Sequence, residues 1–279
     1  MVLEEVKIEE LNKIFDANSK KVFDYLLKRT VISYPEFLPS QNNTALYLEK
    51  KQQEQWIVQA LGLKPLGEGS YPIDGLRGED GFDVSSLSLG QTPKKKMNNQ
   101  TGEKSLGQKF DDDNFGEDGE NLDGLFNSKD YDKIISAWIK ILKKKWGETT
   151  KDHKLKNLYL INLISYKPEN KLMIVLLKIN YDKLDSISKD RTTDKSVWIK
   201  NFIDPDIGDI KIYKSKKRLE LRLKPKEFIN NKSFIDFNYL NEKVDSKNLR
   251  NIFSNAEELE GYCEKEIKKY KDFFENLKK

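Results

Sequence analysis

The sequence predicts an α/β fold of the α+β type, in which helices flank a central mixed sheet. Two patterns carry this prediction: apolar residues recur at helical spacing from Tyr131 to Trp146, and residues 172–177 are apolar at every position. The first pattern is typical of an amphipathic helix. The second indicates a strand that is covered on both faces and lies at the centre of the sheet. The length of 279 residues is enough to bury a full core, and we expect residues 1–279 to form a single domain.

Helices are expected near both ends of the chain. In the N-terminal region, residues 1–40, apolar side chains recur at helical spacing at Leu11, Phe15, Val22 and Leu26. Residues 250–279 are predicted to form a C-terminal amphipathic helix. Between these ends, residues 104–128 have little periodicity and much Asp and Gly, so an acidic, flexible loop is expected there.

A further helix is predicted before the segment that carries the candidate chemistry. It begins at a cap formed by Asn43 or Thr44 and ends at about Leu61, where Gly62 follows. Glu54 lies on this helix. It is either a surface acid or turned toward the segment that follows.

Most of the predicted strands lie in the second half of the chain. Alternating or continuous apolar runs predict them at 155–166, 172–179, 197–203, 210–213 and 218–223. In the last of these, leucines alternate with Arg218, Glu220 and Arg222, which places the charged residues on one face. Two short strands joined by a Gly-rich turn are also expected between Tyr71 and Leu89.

The charges are nearly balanced overall but unevenly distributed. The chain has 50 Lys and Arg and 46 Asp and Glu, a net charge of +4. Residues 111–123 contain seven acids and no bases, whereas residues 211–226 contain eight bases and one acid. Such asymmetry favours a surface that faces a polyanion. The N-terminus has no signal-like apolar region, the longest apolar run is far shorter than a bilayer, and Cys263 is the only cysteine; a cytoplasmic protein with no membrane association is therefore expected.

The single histidine excludes several chemistries. With only His153, the chain cannot assemble a site that needs two imidazoles or a zinc cage of Cys and His residues. It also has no P-loop motif. For an enzyme acting on phosphoesters, carboxylates and a divalent cation remain.

The segment from Tyr71 to Phe110 contains the residues for that chemistry. Its acids, Asp74, Glu79, Asp80 and Asp83, offer the hard oxygen ligands that Mg²⁺ prefers. Its lysines, Lys94, Lys95 and Lys96, offer charge for a phosphate backbone. The alternative is a solvated acidic loop followed by a solvated basic loop.

The order of these pieces resembles the PD-(D/E)XK nucleases, and type II restriction endonucleases in particular. A Glu-bearing helix is followed by Ile73-Asp74, then by a second strand with an acid, and then by a Ser/Lys/Asn-rich turn. The following helix, the hairpin of residues 157–177 and the basic strand at 218–223 also look like that family. The resemblance covers about residues 43–223 and implies a restriction-endonuclease-like fold.

The resemblance implies roles for particular residues. Asp74 matches the first metal-binding acid and Asp83 the second, but Ser85 occupies the position where the family has a lysine that acts on the attacking water. In an alternative alignment Asp83 is the first acid, and Glu103 reaches the site from the next segment. Lys94 is among the nearest candidates for the missing lysine.

Two functions follow as hypotheses. The first is a Mg²⁺-dependent type II restriction endonuclease that acts as a homodimer on double-stranded DNA. The second is a degenerate nuclease fold that binds nucleic acid or a partner without cutting. In either case, contacts to DNA are expected from amides, lysines and arginines that can reach base edges or phosphates: Lys95, Lys96, Asn98, Asn99, Gln100, Lys104, Arg218 and Arg222.

Overall fold

Two β-sheets pack around a common apolar core that also takes in a long helix. The structure is a computed structural model that describes residues 1–32, 48–66, 72–91, 97–107, 121–166 and 171–238, together with the single residues 257, 261, 264, 265, 268 and 272. Leucines and isoleucines from both sheets join Trp138 and Trp146 in this core, and both tryptophans are almost completely buried. The predicted α+β class, with helices flanking a mixed sheet, is confirmed at this level.

The first sheet has eight strands, six of them in the order β1-β8-β7-β4-β3-β2. Strand β5 pairs with β4, and β13 pairs with β8. Its only parallel pair among the described residues is β4 with β7, where Asp83 lies opposite Leu160. The strands span Leu3–Glu5 (β1), Lys64–Pro65 (β2), Gly75–Arg77 (β3), Asp80–Gln91 (β4), Met97–Thr101 (β5), Asn157–Tyr166 (β7), Lys171–Ile179 (β8) and Ile235–Asn238 (β13).

The second sheet has five strands in the order β6-β12-β11-β10-β9, and all its neighbours are antiparallel. Its inner face packs into the common core through Leu219, Leu221 and Leu223, which are fully buried as the leucine alternation indicated. The strands span Lys104–Ser105 (β6), Ser188–Thr193 (β9), Ser196–Lys200 (β10), Gly208–Tyr213 (β11) and Arg218–Leu223 (β12).

Helices cover the first sheet from two sides. On one side, α2 and α3 pack against Phe82 and Val84 of β4; on the other, α5 lies in the common core. The α-helices span Ile8–Ile14 (α1), Ala17–Ile32 (α2), Lys50–Ala60 (α3), Leu122–Ser128 (α4), Tyr131–Leu142 (α5), Thr149–His153 (α6) and Pro225–Asn230 (α7). A π-helical segment, Lys143–Glu148, continues α5 into α6, and a 3₁₀ segment spans Tyr181–Ser186. No helix in the described ranges has the length and apolarity needed to cross a bilayer.

Several predicted elements are confirmed. The strongly periodic segment forms α5, and the fully apolar strand forms β8, which lies between β7 on one side and β1 and β13 on the other. The helix before the candidate site ends where Gly62 adopts a positive φ of 61°, a backbone conformation that glycine tolerates best. Its predicted caps, Asn43 and Thr44, lie outside the described residues.

Other predictions need correction or cannot be followed. Leu3–Glu5 forms a strand within the predicted helical region, because it pairs with Ile179 and its neighbours on β8. The loop predicted at 104–128 begins with strand β6 and ends with helix α4, while residues 108–120 lie outside the described part. Of the predicted C-terminal helix only the six single residues are described, and each is helical.

Candidate functional site

Strand β4 presents a polar patch toward the common core. Successive side chains of a strand point to opposite faces, so Asp83 and Ser85 share one face while Phe82 and Val84 share the other. Phe82 and Val84 are buried against α2 and α3, whereas Asp83 and Ser85 are only partly buried. The strand thus anchors itself by its apolar face and leaves a carboxylate and a hydroxyl on the opposite side.

Asp74 reaches this patch from the segment just before β3. Its Oδ2 accepts a hydrogen bond of 2.6 Å from the backbone N–H of Val84, the residue between Asp83 and Ser85. Burial raises the pKa of Asp74 above its ordinary value, and the nearby negative charge of Asp83 raises it further. The first and second acids expected from the sequence therefore lie side by side.

Lys104 supplies an ammonium group at the same point. Its Nζ donates to Asp83 Oδ1 at 2.8 Å and to the hydroxyl of Ser85. Lys104 lies on β6 opposite Leu221 of β12, so its side chain points inward, where it is 5% exposed. Lys104 was expected to contact DNA; in the structure it is a buried partner of Asp83.

A second lysine approaches from the π-helical segment. Lys145 Nζ lies 3.9 Å from Asp83 Oδ2 and donates to the carbonyl of Leu106 at 3.2 Å. Burial lowers the pKa of Lys145, although the charge of Asp83 acts in the opposite direction. Lys145 was not expected at the site, because the periodicity of the helix marks its apolar face and does not reveal where a π-helical segment turns a lysine inward.

Glu54 points toward the site from α3. Its Oε1 accepts a hydrogen bond of 3.0 Å from the backbone N–H of Ser86. Burial raises the pKa of Glu54, and Asp74 and Asp83 raise it further against the effect of that hydrogen bond. Of the two alternatives for this acid, the structure selects the one directed toward the site.

The site offers two carboxylates, Asp74 and Asp83, to a divalent cation. No group of three or more Asp, Glu, His or Cys side chains is arranged as a metal cage within the described ranges. Mg²⁺, however, is usually held by one or two carboxylates, with water and substrate phosphate completing its shell. Asp74 and Asp83 meet that requirement, and a cation between them would relieve the repulsion that helps to raise the pKa of Asp74.

Glu103 belongs to a different cluster, which corrects the expectation that it reaches the site. It forms ion pairs with Lys216 and Arg222, and lies 3.6 Å from a guanidinium nitrogen of Arg218. Burial opposes ionisation of Glu103, but the hydrogen bonds from Lys216 and Arg222 outweigh it and lower its pKa to about 2. Glu103 is therefore an anion at neutral pH and pairs with the cations of the second sheet.

The remaining acids of the segment also lie elsewhere. Glu79 forms an exposed ion pair of 2.6 Å with Lys156, and Asp80 accepts a hydrogen bond from the amide of Asn157. Both belong to the turn and the start of β4, away from the Asp83 patch.

The residues expected to contact DNA are distributed over β5 and β12. Asn98 is exposed on β5, and its neighbours make internal contacts: Asn99 Oδ1 accepts from the N–H of Lys226, and Gln100 Oε1 lies 3.4 Å from Arg222 Nη1. Arg218 and Arg222 are about 30% exposed while pairing with acids. Lys94, Lys95 and Lys96 lie outside the described residues.

We compared the chain with known protein families, curated proteins and solved structures. The chain matches no family model, no curated protein and no solved structure.

Proposed function

We propose that the protein is a Mg²⁺-dependent endodeoxyribonuclease of the PD-(D/E)XK type, acting like a type II restriction endonuclease. The observation that carries the proposal is the ammonium of Lys104, which contacts both Asp83 and the hydroxyl of Ser85. Double-stranded DNA as substrate and a homodimer as the acting form belong to the same proposal.

The position of Lys104 accounts for the main departure from the family pattern. The pattern expects a lysine two residues after the second acid, and this chain has Ser85 there. Lys104 reaches the same point from another strand. The site therefore has an ammonium group, although the residue two positions after Asp83 is not a lysine. The mixed sheet, with acids on adjoining segments and a Glu-bearing helix beside them, supports the same assignment.

The residues of the site have distinct tasks in this proposal. Asp74 and Asp83 would hold the cation, which supplies a Lewis acid for the phosphate and acidifies an attacking water. Lys104 would orient that water and stabilise its deprotonated form, because a nearby ammonium favours negative charge. Lys145, with its pKa lowered by burial, would contact a phosphate oxygen or accept a proton.

Cleavage of DNA tests the proposal directly. Supercoiled plasmids and genomic DNA, both methylated and unmethylated, are incubated with the protein and Mg²⁺. We expect nicked and linear products from the native protein, and a loss of at least about a hundredfold in rate for Asp83→Asn and Lys104→Ala.

The control for these variants is Lys143→Ala. Lys143 lies two residues from Lys145 but pairs with Asp185 on the surface, so its loss leaves cutting unchanged. Intact DNA on every substrate, or full activity of Asp83→Asn, contradicts the proposal.

One observation favours the second candidate, a nuclease fold that binds without cutting. Asp83 and Lys104 already satisfy each other as an ion pair at 2.8 Å, so the pair is balanced without a cation. In that case DNA binding is independent of Mg²⁺ and Asp83→Asn binds as the native protein does, which a mobility-shift titration with and without Mg²⁺ measures.

A further inference from the structure

The outer face of the second sheet carries a row of cations held against aromatic rings. Arg191 of β9 lies 4.7 Å from the ring centre of Trp198 on β10, and Lys211 of β11 lies 5.7 Å from the same ring. Lys211 is also 4.7 Å from the ring of Tyr213, and Lys216 is 5.4 Å from that ring. The row of Arg191, Trp198, Lys211, Tyr213 and Lys216 is called the cation row below.

The rings limit the motion of these cations. Arg and Lys side chains lose considerable rotamer entropy when they are fixed by a ligand. A cation is attracted to the face of an aromatic ring, so Trp198 and Tyr213 hold the charges in place before any partner arrives. Binding to a row of fixed charges therefore costs less ordering than binding to free lysines.

The charge of this face is positive after its internal pairs are counted. Two acids, Glu103 and Glu220, pair with four cations: Lys211, Lys216, Arg218 and Arg222. A third acid, Asp209, is paired with Lys224 and leaves the balance unchanged. Arg191 adds a further positive charge. A face with this excess is complementary to a polyanion.

The cation row begins close to the candidate active site. Glu103 and Lys104 are neighbours in sequence, yet Glu103 pairs with Lys216 and Arg222 while Lys104 points inward to Asp83. A polyanion that follows the outer face past Glu103 thus passes the edge of the sheet behind which the carboxylates lie.

From these observations we propose that the cation row is a docking surface for the phosphodiester backbone of DNA. The inference rests on the proposed function for its choice of DNA and adds to it a binding face outside the catalytic residues. Phosphates contact Arg191, Lys211 and Lys216, and the tryptophan and tyrosine rings act as braces for these side chains.

Binding without cleavage tests this surface. Fluorescein-labelled 20-mers, single-stranded and duplex, are titrated in EDTA at several salt concentrations and followed by anisotropy. Arg191→Gln and Lys211→Gln are each expected to weaken binding severalfold and to reduce the salt slope by roughly 0.7–0.9, the change for one phosphate contact. The two DNA forms tell whether the row follows one strand or a duplex.

Replacing an aromatic ring should change the salt dependence of DNA binding differently from replacing a cation. Trp198→Ala should weaken binding severalfold with an unchanged salt slope, because it frees two cations without removing either, and Trp198→Phe should restore the affinity. Lys183→Gln is the matched control, since Lys183 pairs with Glu4 of strand β1 and is not part of the cation row, and it should bind as the native protein does.

Fluorescence gives a direct readout of contact. Of the four tryptophans only Trp198 is partly exposed, while Trp56, Trp138 and Trp146 are at most 4% exposed. Bound DNA should therefore protect the intrinsic fluorescence from iodide quenching.

Three results would overturn the docking surface: native affinity in all cation-row variants, no shielding of Trp198, or equal affinity for polyglutamate and DNA. Loss of cutting in the active-site variants with binding retained leaves the surface intact, so the two proposals fail separately.

Discussion

Asp74 illustrates the cost of a functional carboxylate at the scale of a single residue. Burial and the charge of Asp83 raise its pKa, so its ionised form destabilises the fold in the absence of a cation. Asp74→Asn removes that charge, and the amide oxygen can still accept the hydrogen bond from Val84 N–H. We expect the variant to be more stable by about 1 kcal/mol at pH 7, or about 2–4 °C in Tm.

The measurement is thermal unfolding with and without Mg²⁺. The native protein should gain stability with added Mg²⁺ and Asp74→Asn should not, because only the former retains both ligands. Asp80→Asn, outside the site, serves as the control. A native protein that is indifferent to Mg²⁺, or an Asp74→Asn variant less stable than the native chain, would falsify this prediction.

The sign of the pH dependence follows from the same shifts. Asp74 and Glu54 have folded-state pKa values above their ordinary ones, so the folded state binds more protons than the unfolded state in that range. Their contribution to stability therefore decreases as pH rises through the raised pKa values. Above those values both groups impose their full cost on the folded state.

The residues of the site were only partly predictable from sequence. Residue type marked Asp74 and Asp83 together with other acids of the same segment, and the family resemblance singled these two out. Lys104 was recognised as a cation but not as their partner, since its position depends on the pairing of β6 with β12. A contact between strands that are remote in sequence leaves no local pattern to detect.

At the scale of elements, Asp83 lies on β4 and its lysine partner lies on β6; in the proposed nuclease these two strands would supply what the family pattern places on one. Because Lys104 contacts Ser85, we predict that a lysine at position 85 can replace it. In Lys104→Ala combined with Ser85→Lys, the lysine returns to the position two residues after Asp83, on the same face of β4. We expect Lys104→Ala alone to lose cutting and the double variant to recover a substantial part of it in the plasmid assay.

The matched control for this exchange is Lys104→Ala with Ser88→Lys. Ser88 lies on the same strand at an odd spacing from Asp83 and therefore faces the other side, so this pair of changes should not restore cutting. Equal recovery in both double variants would show that any added positive charge suffices.

The elements with a clear apolar pattern were predicted well, and those without one were not. Helix α5 and strand β8 repeat a clear apolar pattern over many residues. Strand β9, by contrast, reads Ser-Lys-Asp-Arg-Thr-Thr and is almost entirely exposed, so only its pairing with β10 makes it a strand. β1 and β13 were likewise missed, because their structure comes from the edge of β8 that they complete.

At the scale of the whole molecule, Glu103 links the candidate site to the second sheet. Hydrogen bonds from Lys216 and Arg222 lower its pKa from 4.5 to about 2, so its stabilising contribution is present above about pH 4.5 and is lost as pH falls toward 2. Glu103→Gln should therefore destabilise the protein at pH 7 by about 1–3 kcal/mol, allowing for solvent screening.

Urea denaturation at a series of pH values checks this. The difference between Glu103→Gln and the native protein should shrink as the pH is lowered from about 4.5 to about 2. Glu79→Gln is the control, because Glu79 pairs with Lys156 in an exposed position and should leave stability unchanged. A difference that is constant with pH would assign the effect to packing.

The directions of the side chains at β6 depend on the register of its pairing with β12. Strand β6 is only two residues long, and a shift of its pairing by a single position would exchange the directions of Glu103 and Lys104. The interior would then receive an acid next to Asp74 and Asp83, and the exterior would lose the anion that neutralises its arginines. A shift of one residue in this two-residue strand would therefore disrupt the candidate site and the proposed docking surface together.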